Sequence, residues 1–210
     1  MSSGPVRALT YPLLVTSGTL VVIAAWAPFA DLDQVSGLAV VALAVLGYTA
    51  WQLGIAFGIL PVGLGAVGVV RGRRVRQQHR LVSRSWLEVG TGEWVPVFYA
   101  PELSTFVPSE VSVSGGAIVS DGLRLFPSGR VRTTEPPGKL IDNPTRATEP
   151  PVFGLGRRLI LDLQSAIGAP FVGLLWVYVM DGGLGAFVAA TTVGAATFTW
   201  LSAIRGSDPS

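Results

Sequence analysis

The sequence has no cysteine, one histidine and one lysine among its 210 residues. Without cysteine the protein forms no disulfide, no thiolate zinc site and no cysteine nucleophile. The histidine, His79, lies in an arginine-rich run, which argues against a histidine-based metal or catalytic site. Charged residues make up 13% of the chain, about half the share of a typical soluble domain. Since half of the residues are hydrophobic, the composition indicates a protein that has lipid as its solvent.

Sequence motifs of catalysis are missing as well. The chain has no His-Glu-x-x-His, no Gly-x-Ser-x-Gly, no phosphate-binding P-loop and no paired intramembrane aspartates. The sequence therefore predicts a protein that is not an enzyme, and it assigns no catalytic residue, cofactor or metal ligand.

Four apolar runs are each long enough to cross the roughly 30 Å hydrocarbon core of a bilayer as a helix. The predicted spans cover residues of about 9–30, 35–60, 159–180 and 183–204. Pro61 marks the end of the second helix, and the glycine-rich residues after it are either a bent continuation or an interfacial piece. Pro170 predicts a kink in the third helix, because proline removes a backbone donor and crowds the preceding turn.

Positive charge is confined to one side of these runs. Thirteen of the fifteen lysine and arginine residues fall between Arg71 and Arg158, and the short connections near Asp31 and Asp181 carry none. Lysine and arginine near span ends stay on the cytoplasmic side. We therefore expect a multi-pass protein of the plasma membrane, with both termini and the middle segment in the cytoplasm.

The middle segment divides the chain into three parts. Residues 1–70 form a first transmembrane hairpin, residues 71–151 a cytoplasmic part, and residues 152–210 a second hairpin. In the cytoplasmic part, Asp121-Gly122 suits a type I′ turn between two short strands. Pro96 would place a further strand at the edge of a sheet.

The predicted fold class is an α-helical integral membrane protein. It has four transmembrane helices in two hairpins and a small inserted cytoplasmic β-domain. The sequence Thr-Glu-Pro-Pro occurs twice between residues 134 and 151. This proline-rich stretch predicts a semi-rigid, extended connection from the β-domain back to the third helix.

Small residues recur at every fourth position on three of the predicted helices, so each set lies on one helix face. Helices in lipid associate through such faces, because small side chains let the backbones approach closely. The sets predict helix-packing or partner interfaces, although abundant glycine and alanine also produce this spacing by chance. The members are Ala50, Gly54 and Gly58; Ser165, Ala169 and Gly173; and Ala186, Ala190 and Gly194.

Arginines beside the second and third helices are predicted to fix the topology and to contact anionic lipid. Each such contact near the surface is worth about 1 kcal/mol. Nucleic-acid binding is not expected, because no aromatic platform or recognition fold accompanies the charges. These arginines are Arg71, Arg73, Arg74, Arg76, Arg80, Arg84, Arg157 and Arg158.

Polar side chains inside the spans are few. Gln52 is the one strongly polar residue deep in a span. Asp162 lies one turn after Arg158, where we expect an i,i+4 pair at the interface. A transporter needs ionisable groups that face a pathway, which argues against transport by this chain alone. In the alternative, a homo-oligomeric scaffold or a small transporter, Gln52 and the Pro170 kink would line a path.

The layout of two helices, a cytoplasmic β-domain and two more helices resembles a group of small actinobacterial membrane proteins. The segments Gly-Glu-Trp-Val-Pro-Val at 92–97 and Pro-Ser-Gly-Arg-Val-Arg at 127–132 are similar to segments of that group. The group includes the lipid-uptake coordinator proteins of the mycobacterial Mce lipid importers. The resemblance implies a non-catalytic accessory or stabilising subunit, with membrane lipids and the importer's permease subunits as its partners. It implies no catalytic residue.

Overall fold

The structure, a computed structural model, describes residues 7–79, 81–90, 92–120, 122–142, 149 and 152–210. The α-helices are α1 (Arg7–Trp26), α2 (Leu32–Phe57), α3 (Leu155–Leu163), α4 (Ala169–Met180) and α5 (Gly183–Ile204). A 3-10 turn joins α3 to α4, so the two form one continuous segment. Within the described residues, four helical segments are long and apolar enough to cross a membrane. They indicate a membrane protein, as the composition predicted.

The ends of the helices follow from local chemistry. The carboxylate of Asp31 accepts a hydrogen bond of 2.9 Å from the backbone N–H of Gln34, which caps the start of α2. Gly58 ends α2 in the left-handed conformation, with φ of 78°. Pro170 lies in the first turn of α4, where its missing N–H costs no helical bond. A 3-10 turn, Gln164–Gly168, lies just before Pro170, and the kink at this proline stays a prediction.

In the described part of the chain, seven strands form one curled antiparallel sheet. Its order is β3-β2-β1-β4-β5-β6, and β7 pairs with β1. The strands are β1 (Gly68–His79), β2 (Val82–Val89), β3 (Glu93–Val97), β4 (Ser109–Ser114), β5 (Ala117–Ser120), β6 (Leu123–Leu125) and β7 (Lys139–Asp142). Ser120 pairs with Leu123, which confirms the predicted hairpin. Pro96 lies in β3, at one end of this order, as predicted for a strand that contains proline.

The prediction of a small inserted β-domain is wrong, because the sheet is a large part of the fold. About 53% of the described residues are helical, and seven strands between the two helix pairs form the sheet. β1 begins at Gly68, inside the predicted first hairpin, and β7 lies inside the predicted linker. The apolar run that begins at Val35 therefore contains both the second span and the first residues of β1. Linker residues 143–148, 150 and 151 lie outside the described residues.

The sheet and the helices share a hydrophobic core. Ile55, near the end of α2, is fully buried in one cluster with Leu87 and Val111 of the sheet. A second cluster packs Leu9 of α1 against Phe126, which follows β6. The sheet therefore lies against the start of α1 and the end of α2.

Helix α5 joins the two helical hairpins. Val193 and Trp200 of α5 are buried in one cluster with Val15 of α1 and Val45 of α2. The indole N–H of Trp200 also donates a 3.1 Å hydrogen bond to the hydroxyl of Thr49 on α2. The start of α1, the end of α2, the start of α3 and the end of α5 all lie on the side of the sheet.

The chain after α5 enters the sheet and forms a buried ion pair. Arg74 of β1 and Asp208 are 2.6 Å apart, and their side chains are 1% and 0% exposed. The same carboxylate accepts a 2.6 Å hydrogen bond from the hydroxyl of Ser85 on β2. Arg74 also donates a 2.8 Å bond to the carbonyl of Leu103. Arg74 is therefore in the interior and cannot contact lipid as predicted.

The expected i,i+4 pair between Arg158 and Asp162 is replaced by hydroxyl contacts. Asp162 is buried and accepts hydrogen bonds of 2.5, 2.7 and 2.9 Å from Tyr11, Ser202 and Ser207. The guanidinium of Arg158 lies 3.9 Å from the centre of the Tyr11 ring. Asp162 thus ties α1, α3 and the end of α5 together instead of anchoring α3 at a surface.

Replacement of Asp208 by asparagine should destabilise the protein strongly. The variant leaves the charge of Arg74 buried without a counter-charge, and such a change costs about 3–5 kcal/mol. The matched control is Asp142→Asn, which removes an exposed partner of Arg73 and should cost less than about 1 kcal/mol. The free energy of unfolding, measured by SDS titration in mixed micelles, checks both values. Equal losses in the two variants would contradict a structural role for the buried pair.

Candidate anion-binding site

A cavity of about 520 Å³ lies where α2, the end of α5 and the sheet meet. Its volume falls within the roughly 300–1,000 Å³ range of small-molecule sites. Four arginines line it, namely Arg84 of β2, Arg205 just after α5, Arg130 and Arg132. We call it the cationic cavity. None of the described residues that line it is aspartate or glutamate.

Helix α2 supplies the aromatic wall of the cationic cavity. Tyr48, Trp51 and Gln52 lie at three- and four-residue spacing, which places them on one side of the helix. The Tyr48 hydroxyl accepts 3.2 Å hydrogen bonds from the side chains of Gln52 and Arg205. The guanidinium of Arg130 lies 6.0 Å from the centre of the Trp51 ring. Tyr48 therefore fixes Arg205 beside a helix that is apolar enough to span a membrane.

The sheet positions Arg84 on the opposite wall. Arg84 on β2 pairs with Gln77 on β1, and it forms an isolated bridge with Ser207 of the chain after α5. The indole N–H of Trp86 donates a 2.6 Å hydrogen bond to Gln77, which holds this part of the wall in place. Arg84 and Arg205 therefore meet because the chain beyond α5 is held against β2.

The charge in the cationic cavity is not balanced by the described residues. The ion pairs of the described structure involve Arg73 and Arg74, and none involves an arginine of the cavity. The Nε–H of Arg84 is buried and has no hydrogen-bond partner among those residues. Burial and the nearby charge of Arg205 lower the pKa of Arg84. An unpaired buried donor is costly, so an anion in this cavity would be stabilised.

Many of the side chains that line the cationic cavity can donate hydrogen bonds. Among the described residues, no three histidine, aspartate or glutamate side chains lie together as metal ligands. The hydroxyl of Ser128 lines the cavity wall, but it is buried without a hydrogen-bond partner in the described structure. His79 also lines the cavity, but it accepts no hydrogen bond from that hydroxyl in the described structure. Among the described residues of the lining, the arrangement offers fixed donors and no activated nucleophile.

Of the eight arginines predicted to face lipid, the structure places Arg84 in the cationic cavity. Arg71, Arg73 and Arg157 are exposed, Arg76 and Arg158 are half-buried, Arg74 is in the buried ion pair, and Arg80 lies outside the described residues. Sequence reasoning missed Arg130, Arg132 and Arg205 as partners of Arg84. The spacing of Arg130 and Arg132 by two residues was a signal for a shared face. No signal linked either of them to Arg205.

Two of the predicted small-residue sets lie against each other. A Cβ added to Gly194 on α5 would meet Ala169 and Val172 at 3.6 Å, and one added to Gly173 would overlap the hydroxyl of Thr191. The Ser165 hydroxyl donates a 3.0 Å bond to the carbonyl of Phe198. This packing uses the faces inside the protein. Ala186 and Ala190, the other members on α5, are half-buried.

The small-residue set on α2 does not form a face that packs against another helix. Ala50 is exposed, and a Cβ added to Gly54 would lie 2.9 Å from the side chain of Leu60. Gly58 is the left-handed residue that ends the helix. Gly54 and Gly58 therefore allow the turn that leads from α2 to the sheet. At Gly54 the chain passes close to Leu60, and at Gly58 the backbone has a positive φ.

Comparisons with known proteins do not assign a family. No protein-family model, no curated protein and no solved structure matches the chain. The resemblance to the lipid-uptake coordinator group therefore stays a prediction. The role of the cationic cavity follows from its geometry and charge.

Gly173 and Gly194 should respond differently to replacement by alanine. The Cβ of Gly173→Ala would overlap α5, and such overpacking costs roughly 1–3 kcal/mol. Gly194→Ala is the matched control, since its Cβ meets its neighbours at ordinary contact distance. The free energy of unfolding should fall for the first variant and change little for the second. The opposite order would show that the pairing of α4 and α5 differs from the one described.

Proposed function

We propose that this chain is a non-catalytic accessory subunit of a multi-protein membrane complex. The observation that carries the proposal is the nature of the cationic cavity, which offers fixed hydrogen-bond donors and no activated nucleophile. We infer from these donors that the site binds a ligand. A binding protein that spans a membrane and carries a rigidly attached sheet is suited to support other subunits.

The rigid attachment of the sheet supports this proposal. The shared core and the Arg74–Asp208 ion pair fix the sheet to the helices, so a protein bound to the sheet would be held at a set position relative to the membrane. Val67 and Val69, where the chain enters β1, are 82% and 66% exposed outside the spans. We infer that a partner subunit would cover these two side chains.

The alternative of a small transporter finds less support. Gln52 lines the cationic cavity and donates to Tyr48, whereas Pro170 lies in the first turn of α4 and does not line that cavity. The two residues that were expected to line a path therefore lie at different places. The homo-oligomeric scaffold remains an alternative, and the co-purification experiment below distinguishes it from the accessory role.

We further propose that the complex lies in the plasma membrane and is an Mce-type lipid importer, with its permease subunits and membrane lipids as partners. The sheet side would face the cytoplasm. The charge pattern supports this orientation, because the connections at Asp31 and Asp181, far from the sheet, lack lysine and arginine.

Purification under gentle conditions tests the accessory role. The tag belongs at the N-terminus, because Asp208 and Pro209 are buried and a C-terminal tag would disturb the ion pair. In a native host and a mild detergent, permease and ATPase subunits should co-purify in fixed ratio, as identified by mass spectrometry. A four-span protein with the same tag is the control. Recovery of the chain with its own copies only would overturn the accessory role and favour the scaffold.

Single cysteines test the proposed orientation without interference, since the chain has none of its own. Asp33→Cys and Asp181→Cys should react with an impermeant maleimide in intact cells, because both positions are exposed at the end opposite the sheet. Val107→Cys, exposed on the sheet side, should react only after the cells are opened. The reverse pattern would place the sheet outside the cell.

A further inference from the structure

We propose that the cationic cavity binds the phosphate group of an anionic membrane lipid. This inference rests on the non-catalytic binding role proposed for the cavity, and it does not depend on the identity of any protein partner. It assigns a ligand class to Arg84 and Arg205 as the central pair, with Arg130 and Arg132 as further sources of charge.

The chemistry of the cavity favours a phosphate. Guanidinium groups match the oxygen geometry of phosphate through parallel N–H donors, and they stay charged where they are partly buried. Among the described residues, the buried Nε–H of Arg84 has no partner, and Arg205 uses its Nε–H for Tyr48 while its terminal nitrogens make no hydrogen bond. Four positive charges without a carboxylate among the described lining residues call for a ligand with net negative charge.

The position of the cavity favours a lipid over a free phosphate. One wall is α2, a helix able to span a membrane, and Trp51 on that wall is 38% exposed. Tryptophan and tyrosine rings are enriched at the level of lipid headgroups. The sheet lies at the end of α2, so the cavity is where the hydrocarbon region meets the polar part of the protein.

The surface of α2 next to Trp51 leaves room for an acyl chain. Val40, Ala44 and Gly47 precede Trp51 at spacings of four, three and four residues, so they share its side of the helix. All are exposed, and a Cβ added to Gly47 would meet nothing within 4 Å. This strip leads from the cavity towards the centre of the span. A phosphate held by Arg84 and Arg205 would therefore have its lipid tails directed into the membrane.

Short-chain lipids allow a direct test on the purified full chain in maltoside micelles. The probes are dihexanoyl phosphatidylglycerol, its phosphatidylcholine counterpart and inorganic phosphate, followed by tryptophan fluorescence because Trp51 and Trp86 line the cavity. We expect the anionic lipid to bind at least about tenfold more tightly than the zwitterionic lipid, since choline cancels the charge. Inorganic phosphate should compete only at much higher concentration, because it lacks the tails.

Variants locate the binding. Arg84→Gln and Arg205→Gln should each weaken binding of phosphatidylglycerol by about tenfold or more, whereas Arg84→Lys should retain part of it. The matched control is Arg124→Gln, an exposed arginine of β6 outside the cavity, which should bind as the unchanged protein does. Circular dichroism and gel filtration establish that each variant is folded.

Three outcomes would overturn the inference. Equal binding of the two lipids would remove the preference for net negative charge. Binding that survives both glutamine substitutions in folded protein would place the lipid elsewhere. Binding of inorganic phosphate as tight as that of phosphatidylglycerol would show that the ligand is a soluble phosphate and not a lipid. None of these outcomes depends on whether subunits of a larger complex co-purify.

Discussion

Arg74 of β1 and Asp208, beyond the end of α5, form an ion pair with both side chains almost completely buried. A buried charge is tolerated only where a counter-charge and hydrogen bonds satisfy it, and here Ser85 and the carbonyl of Leu103 complete the set. The pair links the last residues of the chain to the first strands of the sheet. The position of the sheet relative to the helices depends on this link, together with the core that α2 shares with the sheet.

The cationic cavity follows from that attachment. Because the chain beyond α5 runs along β2, it brings Arg205 to the side of Arg84 and closes a space against Tyr48 of α2. The arginines of this cavity have no carboxylate partner among the described residues, in contrast to Arg74 and to the exposed Arg73. The protein thus uses arginine in two ways. Arg74 is neutralised by Asp208 and stabilises the fold. The arginines of the cationic cavity have no carboxylate partner among the described residues and are available to bind an anion.

Sequence reasoning succeeded where a single local pattern decides the outcome. Four apolar runs predicted the spans, and Asp121-Gly122 predicted the β5–β6 hairpin, since length and turn chemistry are local properties. It failed where apolar residues serve two structures. Gly68 to Val70 continue an apolar run but begin a strand, so the sheet was underestimated. The burial of Arg74 and the proximity of Arg84 to Arg205 both depend on contacts between residues more than 100 positions apart. Composition and periodicity do not reveal such contacts.

Hydrogen exchange of the full chain in lipid nanodiscs tests most directly whether sheet and helices form one body. The free energy of opening, obtained from amide exchange, should be similar for β1, β2 and the end of α5. Asp208→Asn should lower protection in all three elements together, because the ion pair couples them. Loss of protection confined to the sheet, with the end of α5 unchanged, would contradict this account. The sheet would then be an independent domain, and the cationic cavity would lack a fixed wall.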